Sequence, residues 1–199
     1  EYSGHATISV ANNNTVTGNY VTNSSRGIWL DFALDSSIVG NNITGNVNGV
    51  WLDGSRGNSI SGNSIMANDG FGIAFDWTNF MWVTNIPSDE NTLSENSISG
   101  NLVGAWLNSS SNSRIFHNNF VQNSIQARVD SKCLNNSWDD GYPSGGNYWS
   151  DYADMDSFRG PDQGVLGSDG IWDHPYVIDA NNIDRSPLVN LWIPKTCLA

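Results

Sequence analysis

The chain has 199 residues and a formal net charge of -12, with 8 Lys and Arg against 20 Asp and Glu. This balance excludes a conventional nucleic-acid binder, because such proteins need a basic surface to displace counterions from phosphates. It also argues against attraction to an anionic membrane, and no apolar run is long enough to span a bilayer. Only 14% of the residues are charged, whereas Asn, Gly and Ser are abundant, so we expect turns and short strands rather than exposed helices.

A 22-residue repeat organises the chain up to about residue 130. Its first mark is an Asn followed two positions later by an apolar residue, and these Asn are Asn19, Asn41, Asn63, Asn96 and Asn118. A second mark follows each Asn, at Gly27–Asp31, Gly49–Asp53, Gly72–Asp76, Gly104–Asn108 and Gln126–Asp130. The spacing is regular except for one extra residue between Asn63 and Gly72 and an insertion at about 77–90. Two independent marks with a common period indicate a repeat architecture.

The repeat predicts an all-β fold. Apolar and polar residues alternate within each unit, which is the period of short strands, and Gly and Asn fall between the strands, where turns need positive φ. Three short strands per unit predict a right-handed parallel β-helix of about five coils over residues 1–132, since one coil cannot bury its apolar side alone. We expect the repeated Asn at a corner, where its amide bonds the backbone or the amides of neighbouring coils.

Two rows of side chains are predicted to point outward from this β-helix. Residues flanking the middle of the second mark point inward, so the middle residues form an outer row of Trp29, Trp51, Ala74, Trp106 and Arg128. Two positions further on, a second row contains Asp31, Asp53, Asp76, Asn108 and Asp130.

Three interpretations of these rows stay open. Tryptophan rings can bind the apolar faces of sugars and carboxylates can accept hydroxyl hydrogen bonds, which makes the rows a candidate carbohydrate-binding surface. Alternatively, the segment Trp77–Val83 or the chain after Cys133 covers them, or they form an interface with another protein. The candidate carbohydrate-binding residues are Trp29, Trp51, Trp106, Asp31, Asp53, Asp76 and Arg128.

The segment 133–199 differs from the repeats and is predicted to cap them. Half of the acidic residues and many aromatic residues lie in 138–199. The end of a solenoid exposes unpaired strand edges and core side chains, and an aromatic, loop-rich segment can cover both. Cys133 and Cys197 are either free thiols or a disulfide that ties the end of this segment to the last coil.

Five glycosylation sequons are scattered through the chain. They begin at Asn13, Asn23, Asn42, Asn108 and Asn135. Together with the acidic, Trp-rich composition they favour an exported protein, located outside the cell or on its surface.

Three strings in the last third carry a family resemblance. The segments Gly145–Tyr152, Gly167–Asp179 and Asn182–Leu188 resemble the C-terminal signature of archaeal surface proteins with NosD-type β-helix repeats, a group often called CASH domains. The 22-residue repeat is similar to that group as well. The resemblance implies a right-handed β-helix on or outside the cell, but it implies function only loosely, because this fold hosts lyases, hydrolases, binding modules and structural rods.

The acidic cap also suggests a metal. Hard cations take oxygen ligands, so calcium is the expected ion, with candidate ligands Asp151, Asp154, Asp156, Asp169 and Asp173. The alternative is that these carboxylates bond turn amides and face solvent. The copper in the family's name is not expected here, because the 3 Met, 3 His and 2 Cys are scattered along the chain.

The leading functional hypothesis is a non-catalytic extracellular module of the cell surface, which binds carbohydrate or has a structural role. Its expected partners are a glycan or a cell-surface protein, with no nucleic acid and no membrane insertion. One alternative is a polysaccharide hydrolase or lyase of the β-helix class. Another is a self-assembling subunit of a filament or surface layer, in which the strand Ala6–Val10 offers an edge for end-to-end stacking.

Overall fold

Three parallel β-sheets form the body of the molecule. The computed structural model describes residues 6–9, 12–80 and 83–194. Within these residues there are strands and turns but no α-helix, and therefore no helix able to cross a lipid bilayer. The strands stack as a β-solenoid of about five turns of roughly 22 residues, so the predicted all-β fold with a parallel β-helix is confirmed.

Each coil contributes one strand to each sheet. The first sheet contains Ala6–Ser9, Arg26–Asp31, Asn48–Asp53, Phe71–Asp76, Val103–Leu107 and Ile125–Val129. The second contains Thr15–Thr17, Ser37–Val39, Ser59–Ser61, Thr92–Ser94 and Arg114–Phe116. The third contains Tyr20–Val21, Asn42–Thr44, Ser64–Met66, Ser97–Ser99, Asn119–Val121 and Tyr148–Trp149.

The core is a set of stacked apolar rows. Equivalent residues of successive coils are aligned: Ile38 pairs with Ile60, and Ile43 with Ile65. These four side chains are fully buried. Because the register is in phase with the repeat, every coil places its alternating apolar residues at the same depth, as the sequence predicts.

The described residues also form three short antiparallel hairpins. The insertion forms Thr78–Phe80 paired with Val83–Ile86. The cap contains two more hairpins, which pair Phe158–Arg159 with Val165–Leu166 and Tyr176–Val177 with Ile183–Asp184.

The cap is continuous with the solenoid core rather than a lid laid over it. Its strand Tyr148–Trp149 extends the third sheet beyond Asn119–Val121. Trp138 and Trp149 are almost completely buried, and the Trp149 ring stacks on Phe120 of the last coil at 4.5 Å between centroids. The aromatic residues of the cap therefore bury the end of the apolar rows, which would otherwise face water.

An asparagine ladder runs along the corner between the second and third sheets. In each coil the backbone N–H and the Nδ2 of the ladder Asn both donate to the Oδ1 of the Asn one coil further on, as between Asn63 and Asn96 at 3.0 and 2.9 Å. The predicted ladder is confirmed, and it is one member longer, consisting of Asn19, Asn41, Asn63, Asn96, Asn118 and Asn147.

Further ladders occupy the other corners. One consists of Asn46, Asn68, Asn101 and Asn123. Another mixes Ser and Asn, in the order Ser36, Asn58, Asn91, Ser113 and Asn136. A fourth uses hydroxyls and ends in a thiol, with contacts at Ser55, Ser88, Ser110 and Cys133. Side chains thus satisfy the corner amides that cannot join a strand ladder.

A buried carboxylate ends the main ladder. Asp184 is fully buried, and its Oδ2 accepts hydrogen bonds from the backbone N–H of Asn147 at 2.8 Å and the indole of Trp149 at 2.9 Å. Its Oδ1 accepts the backbone N–H of Ser186. Burial raises the pKa of Asp184 to about 7, although these donors oppose the shift.

We expect the replacement Asn96→Ala to lower the free energy of unfolding by about 3 kcal/mol or more. The change leaves the buried amide of Asn63 and the carbonyl of Ile60 without their partners, and each such loss costs about 1–3 kcal/mol. The control is Asn42→Ala at an exposed position of a third-sheet strand, which should change stability by less than about 0.5 kcal/mol. Chemical denaturation of both variants measures the difference, and equal effects would contradict a stabilising ladder.

Asp184 should make stability depend on pH. A carboxyl whose pKa is raised on folding stabilises the protein below its unfolded pKa, and this contribution is lost as the pH rises through the folded pKa. The free energy of unfolding should therefore contain a component that falls between about pH 4 and about pH 7, and Asp184→Asn should remove it. Denaturant titrations at several pH values measure the two slopes; identical slopes would show that Asp184 is not the group responsible.

Candidate functional site

The outward face of the first sheet carries a column of packed side chains. Trp29, Trp51 and Trp106 are half-buried rather than exposed. The guanidinium carbon of Arg26 lies 4.3 Å from the ring centroid of Trp29 and 4.7 Å from that of Trp51. Arg26 is therefore in cation–π contact with both rings.

Phe71 closes the gap that Ala74 leaves in the tryptophan row. Its ring lies 5.7 Å from Trp51 in an edge-to-face arrangement and is stacked on Trp106 at 4.6 Å. Ala74 is fully buried. We call Trp29, Arg26, Trp51, Phe71 and Trp106 the tryptophan column. Because its members stack on one another along the solenoid, part of the ring surface is used inside the column instead of facing solvent as in a flat platform.

Asp53 fixes the orientation of two indoles. Its Oδ2 accepts a hydrogen bond from Nε1 of Trp29, and its Oδ1 accepts one from Nε1 of Trp51, both at 2.8 Å. The residue is only 8% exposed. One carboxylate therefore joins two successive coils through their tryptophans, which limits the rotation of both rings.

Asp76 is the next carboxylate of the row and pairs in register with Asp53. Burial raises the pKa of the Asp76 carboxyl, and the nearby charge of Asp53 raises it further. Hydrogen bonds from the backbone of Trp77 and the side chain of Asn108 oppose this effect. Asp76 thus links its own coil to the next one.

The other predicted members flank this centre, since Asp31 pairs in register with Asp53 and Arg128 with Trp106. Asp31 is half-buried at the end of its strand, one coil before Asp53. Arg128 is exposed and forms an ion pair with Asp130 at 3.7 Å. The structure therefore brings together the three tryptophans with Asp53 and Asp76, and it leaves Asp31 and Arg128 towards the two ends.

Two residues of the column were missed in the sequence. Arg26 and Phe71 each stand directly before the Gly of the second mark, at Gly27 and Gly72. This position carries different residue types in different coils, so the repeat alone gives it no role. A cationic or aromatic residue immediately before that Gly is the sequence feature that could have indicated the column.

Two segments are the predicted candidates to cover the outward rows. The insertion lies beside the corner at Gly54, where a Cβ would meet side-chain carbons of Thr78 and Ile86 within about 3 Å. The side chains of residues 79–84 lie outside the described part of the structure. In the chain after Cys133, Trp192 stacks on His117, and its backbone exchanges two hydrogen bonds with Asn119 of the third sheet.

The five acidic residues of the cap that are candidate calcium ligands bond groups in other segments of the cap. Asp156 accepts hydrogen bonds from the backbone amides of Asp169 and Gly170, and Asp154 contacts the ring of His174. Backbone amides or a tyrosine hydroxyl bond the others, Asp151, Asp169 and Asp173. No group of three or more His, Cys, Asp or Glu able to hold a metal occurs in the described part of the chain. The calcium site stays a prediction.

Cys133 is a member of a ladder. It is buried, its Sγ accepts the amide of Ser110 at 3.3 Å, and its thiol contacts the carbonyl of Leu107. Burial raises the pKa of the Cys133 thiol. The proposed disulfide partner, Cys197, lies outside the described residues, so the disulfide stays a prediction.

Four of the five predicted glycosylation sites are exposed, namely Asn13, Asn23, Asn42 and Asn135. The fifth, Asn108, is half-buried, and its Nδ2 donates a hydrogen bond to Asp76. Attachment of a glycan to this amide would disrupt that contact.

The soft donors that copper prefers are dispersed over the described part of the molecule. His117 is buried under Trp192 and its Nε2 contacts the carbonyl oxygen of Ser144, whereas His174 contacts Asp154 in the cap. Cys133 lies in its ladder. These donors do not converge, so they do not fit a copper site.

Replacing Asp53 by Asn should destabilise the protein by about 1–3 kcal/mol, because the Asn amide would place an N–H against one of the two indole donors. Tryptophan emission should also change, as the rings lose their common anchor. The matched control is Asp69→Asn at an exposed position. Denaturant unfolding followed by fluorescence measures both effects, and an unchanged midpoint would argue against the bridging role.

Comparison with known proteins supports the architecture. A family model described as "Periplasmic copper-binding protein (NosD)" matches residues 8–154. No curated protein matches the sequence. Copper is part of the family's description, but the described residues do not provide a site for it. The match spans more than half of the chain, and the chain therefore belongs to the NosD family of parallel β-helix proteins.

Proposed function

We propose that this chain is a non-catalytic structural module that acts outside the cytoplasm, as a rigid β-helix at the cell surface. The polar groups of the site support this proposal, because they already contact other residues of the solenoid. Asp53, Asp76 and Arg26 are all engaged in contacts that join one coil to the next. Groups that bind or transform a ligand have to leave hydrogen-bonding capacity for it.

The side-chain ladders at the corners also join successive coils. Buried Asn and Ser side chains connect the coils at every corner, and such networks rigidify a structure when all their members are satisfied. A solenoid whose surface and corner side chains both link neighbouring coils resists local opening. The periplasmic description of the family agrees with a location outside the cytoplasm.

Catalysis by the carboxylate row is less favoured. Asp76, with its raised pKa, next to Asp53 resembles the acid and base that glycosidases use. However, both oxygens of Asp53 already accept hydrogen bonds from indoles. A base or nucleophile in that state would have to break a contact that holds two coils together.

Carbohydrate binding is the second candidate, and one observation favours it. The indole N–H of Trp106 is buried and has no hydrogen-bond partner within the described residues. Such a donor costs free energy while it stays unpaired. A sugar hydroxyl at the edge of the ring would satisfy it, with the apolar side of the sugar against the half-buried edges of the column.

The structural proposal predicts that Trp51→Ala lowers the free energy of unfolding by about 3 kcal/mol and speeds native-state proteolysis. The ring contacts Arg26, Phe71 and Trp106, so its removal opens the middle of the tryptophan column. Tyr20→Ala, at a residue that is 68% exposed, is the control and should have little effect on either measurement.

The same samples test ligand binding and catalysis. Wild-type protein should show no retardation in native gels that contain neutral or acidic polysaccharides, and it should release no reducing ends or unsaturated sugars from them with calcium present. Retardation that Trp106→Phe abolishes would replace the structural proposal by carbohydrate binding. Release of products that Asp76→Asn abolishes would replace it by catalysis.

A further inference from the structure

The described cap continues two of the three sheets of the solenoid but not the first. In the third sheet Tyr148–Trp149 forms a further strand, and in the second sheet Ser137 continues the pairing beyond Arg114. The first sheet ends with Ile125–Val129, which pairs with Val103–Leu107 and with no other described strand. Within the part of the chain that the structure describes, this last strand therefore has an open edge on its far side.

The burial of equivalent residues shows the same difference. Val103 and Ile125 are aligned in neighbouring strands, yet Val103 is 4% exposed and Ile125 is 47% exposed. Ala127 and Val129 are only half-buried, although the residues aligned with them in the preceding strand are buried. Three cap side chains pack against the same core cluster, namely Tyr152, Tyr176 and Ile178. They cover part of the core side but do not form a strand next to Ile125–Val129.

Two backbone carbonyls of this strand point to the open side. Inside the solenoid, the carbonyl of Leu107 accepts the amide of Asp130, one coil further on, at 2.9 Å. Val129 is aligned with Leu107, so its carbonyl has the same direction, as does that of Ala127 two residues earlier. No described residue of the cap donates a hydrogen bond to either carbonyl. A strand edge with free acceptors is a template for an added strand.

An acidic cavity of about 270 Å³ lies beside the end of this strand. Its walls include Val129 and Asp130 on the solenoid side and Asp179–Asn182 on the cap side, and none of its lining residues is basic. Asp130 is half-buried and contacts Arg128 at 3.7 Å, while Asp179 accepts the amides of its own loop. Two carboxylates without a cation among the lining residues favour a basic group in this cavity.

We propose that the edge of Ile125–Val129 binds an extended, basic segment of another protein by strand addition. The segment lies parallel to this strand, in the direction that the strands of the first sheet share. Its amides donate to the carbonyls of Ala127 and Val129, and an apolar residue covers Ile125. Five positions further on, a Lys or Arg lies opposite Asp130 and enters the cavity. The inference goes beyond the structural role, since it holds equally if the tryptophan column binds a ligand.

Charge favours a basic partner over a second copy of this chain. Each copy carries a formal net charge of -12, so two copies repel each other as they approach. A basic segment is attracted to the same surface, and opposite charges placed across a strand pair stabilise it.

A fluorescein-labelled peptide, Ile-Ser-Val-Thr-Val-Lys, tests the proposal by fluorescence anisotropy with the intact protein. We expect saturable binding below about 1 mM peptide, and binding about fivefold weaker or more when the Lys is replaced by Glu. N-methylation of the Thr removes the amide that faces the carbonyl of Ala127, so it should abolish binding. Absence of saturable binding overturns the proposal, and equal binding of the N-methylated peptide overturns strand addition.

A charge exchange identifies the edge that is used. In the variant Asp130→Lys the preference should reverse, so that the Glu peptide binds more tightly than the Lys peptide. The matched control is Asp69→Lys at an exposed position away from this edge, which should keep the preference of the wild type. An unchanged preference in Asp130→Lys would place the peptide elsewhere and overturn the assignment. Sedimentation without peptide tests the other occupant: a dimer that Asp130→Lys dissociates, with no peptide binding, would assign the edge to a second copy.

Discussion

The structure depends on satisfying the polar backbone at the corners of the coil. Each strand forms backbone hydrogen bonds with the strands one coil away. At each corner the chain turns, and its amides lie outside the regular hydrogen-bond pattern of the sheets. These amides are buried between coils, where an unpaired donor costs about 1–3 kcal/mol. Side-chain oxygens of Asn and Ser fill this need in every described interior coil, as Asn58 and Asn91 do at one corner. The polar, weakly charged composition is a consequence of this requirement.

This requirement also explains why the insertion is tolerated. The ladder contact between Asn63 and Asn96 spans 33 residues, whereas the contact between Asn41 and Asn63 spans 22, yet the distances are nearly the same. What the stack needs is one acceptor at each corner of each coil, not a fixed number of residues between corners. Additional residues can therefore leave the coil as a hairpin after Asp76 and return before the next corner.

The sequence predicts those structural features that recur with the 22-residue period. The core rows and the main Asn ladder recur with one period, so the five-coil architecture and the role of Asn63 could be inferred from spacing. Asp184 and Asn147 occur once, outside the repeat, and their meeting at the end of the ladder depends on how the cap folds back. The sequence predicts only disulfide chemistry or a free thiol for Cys133, because its place in a Ser ladder depends on how the last coil stacks.

The tryptophan row shows that the direction of a side chain does not by itself determine its exposure to solvent. Alternation correctly placed Trp51 on the outward side of the first sheet, but an outward side chain can still pack along the solenoid axis. The backbones of successive coils are about 4.8 Å apart, so outward side chains of neighbouring coils come into contact. The contacts of Arg26 and Phe71 with the tryptophans therefore keep apolar surface from water. The carboxylate of Asp53 then accepts hydrogen bonds from two indole N–H groups that would otherwise need water as their acceptor. The outward face is therefore held together by the same kind of coil-to-coil contacts as the corners, with rings and a carboxylate in place of amides.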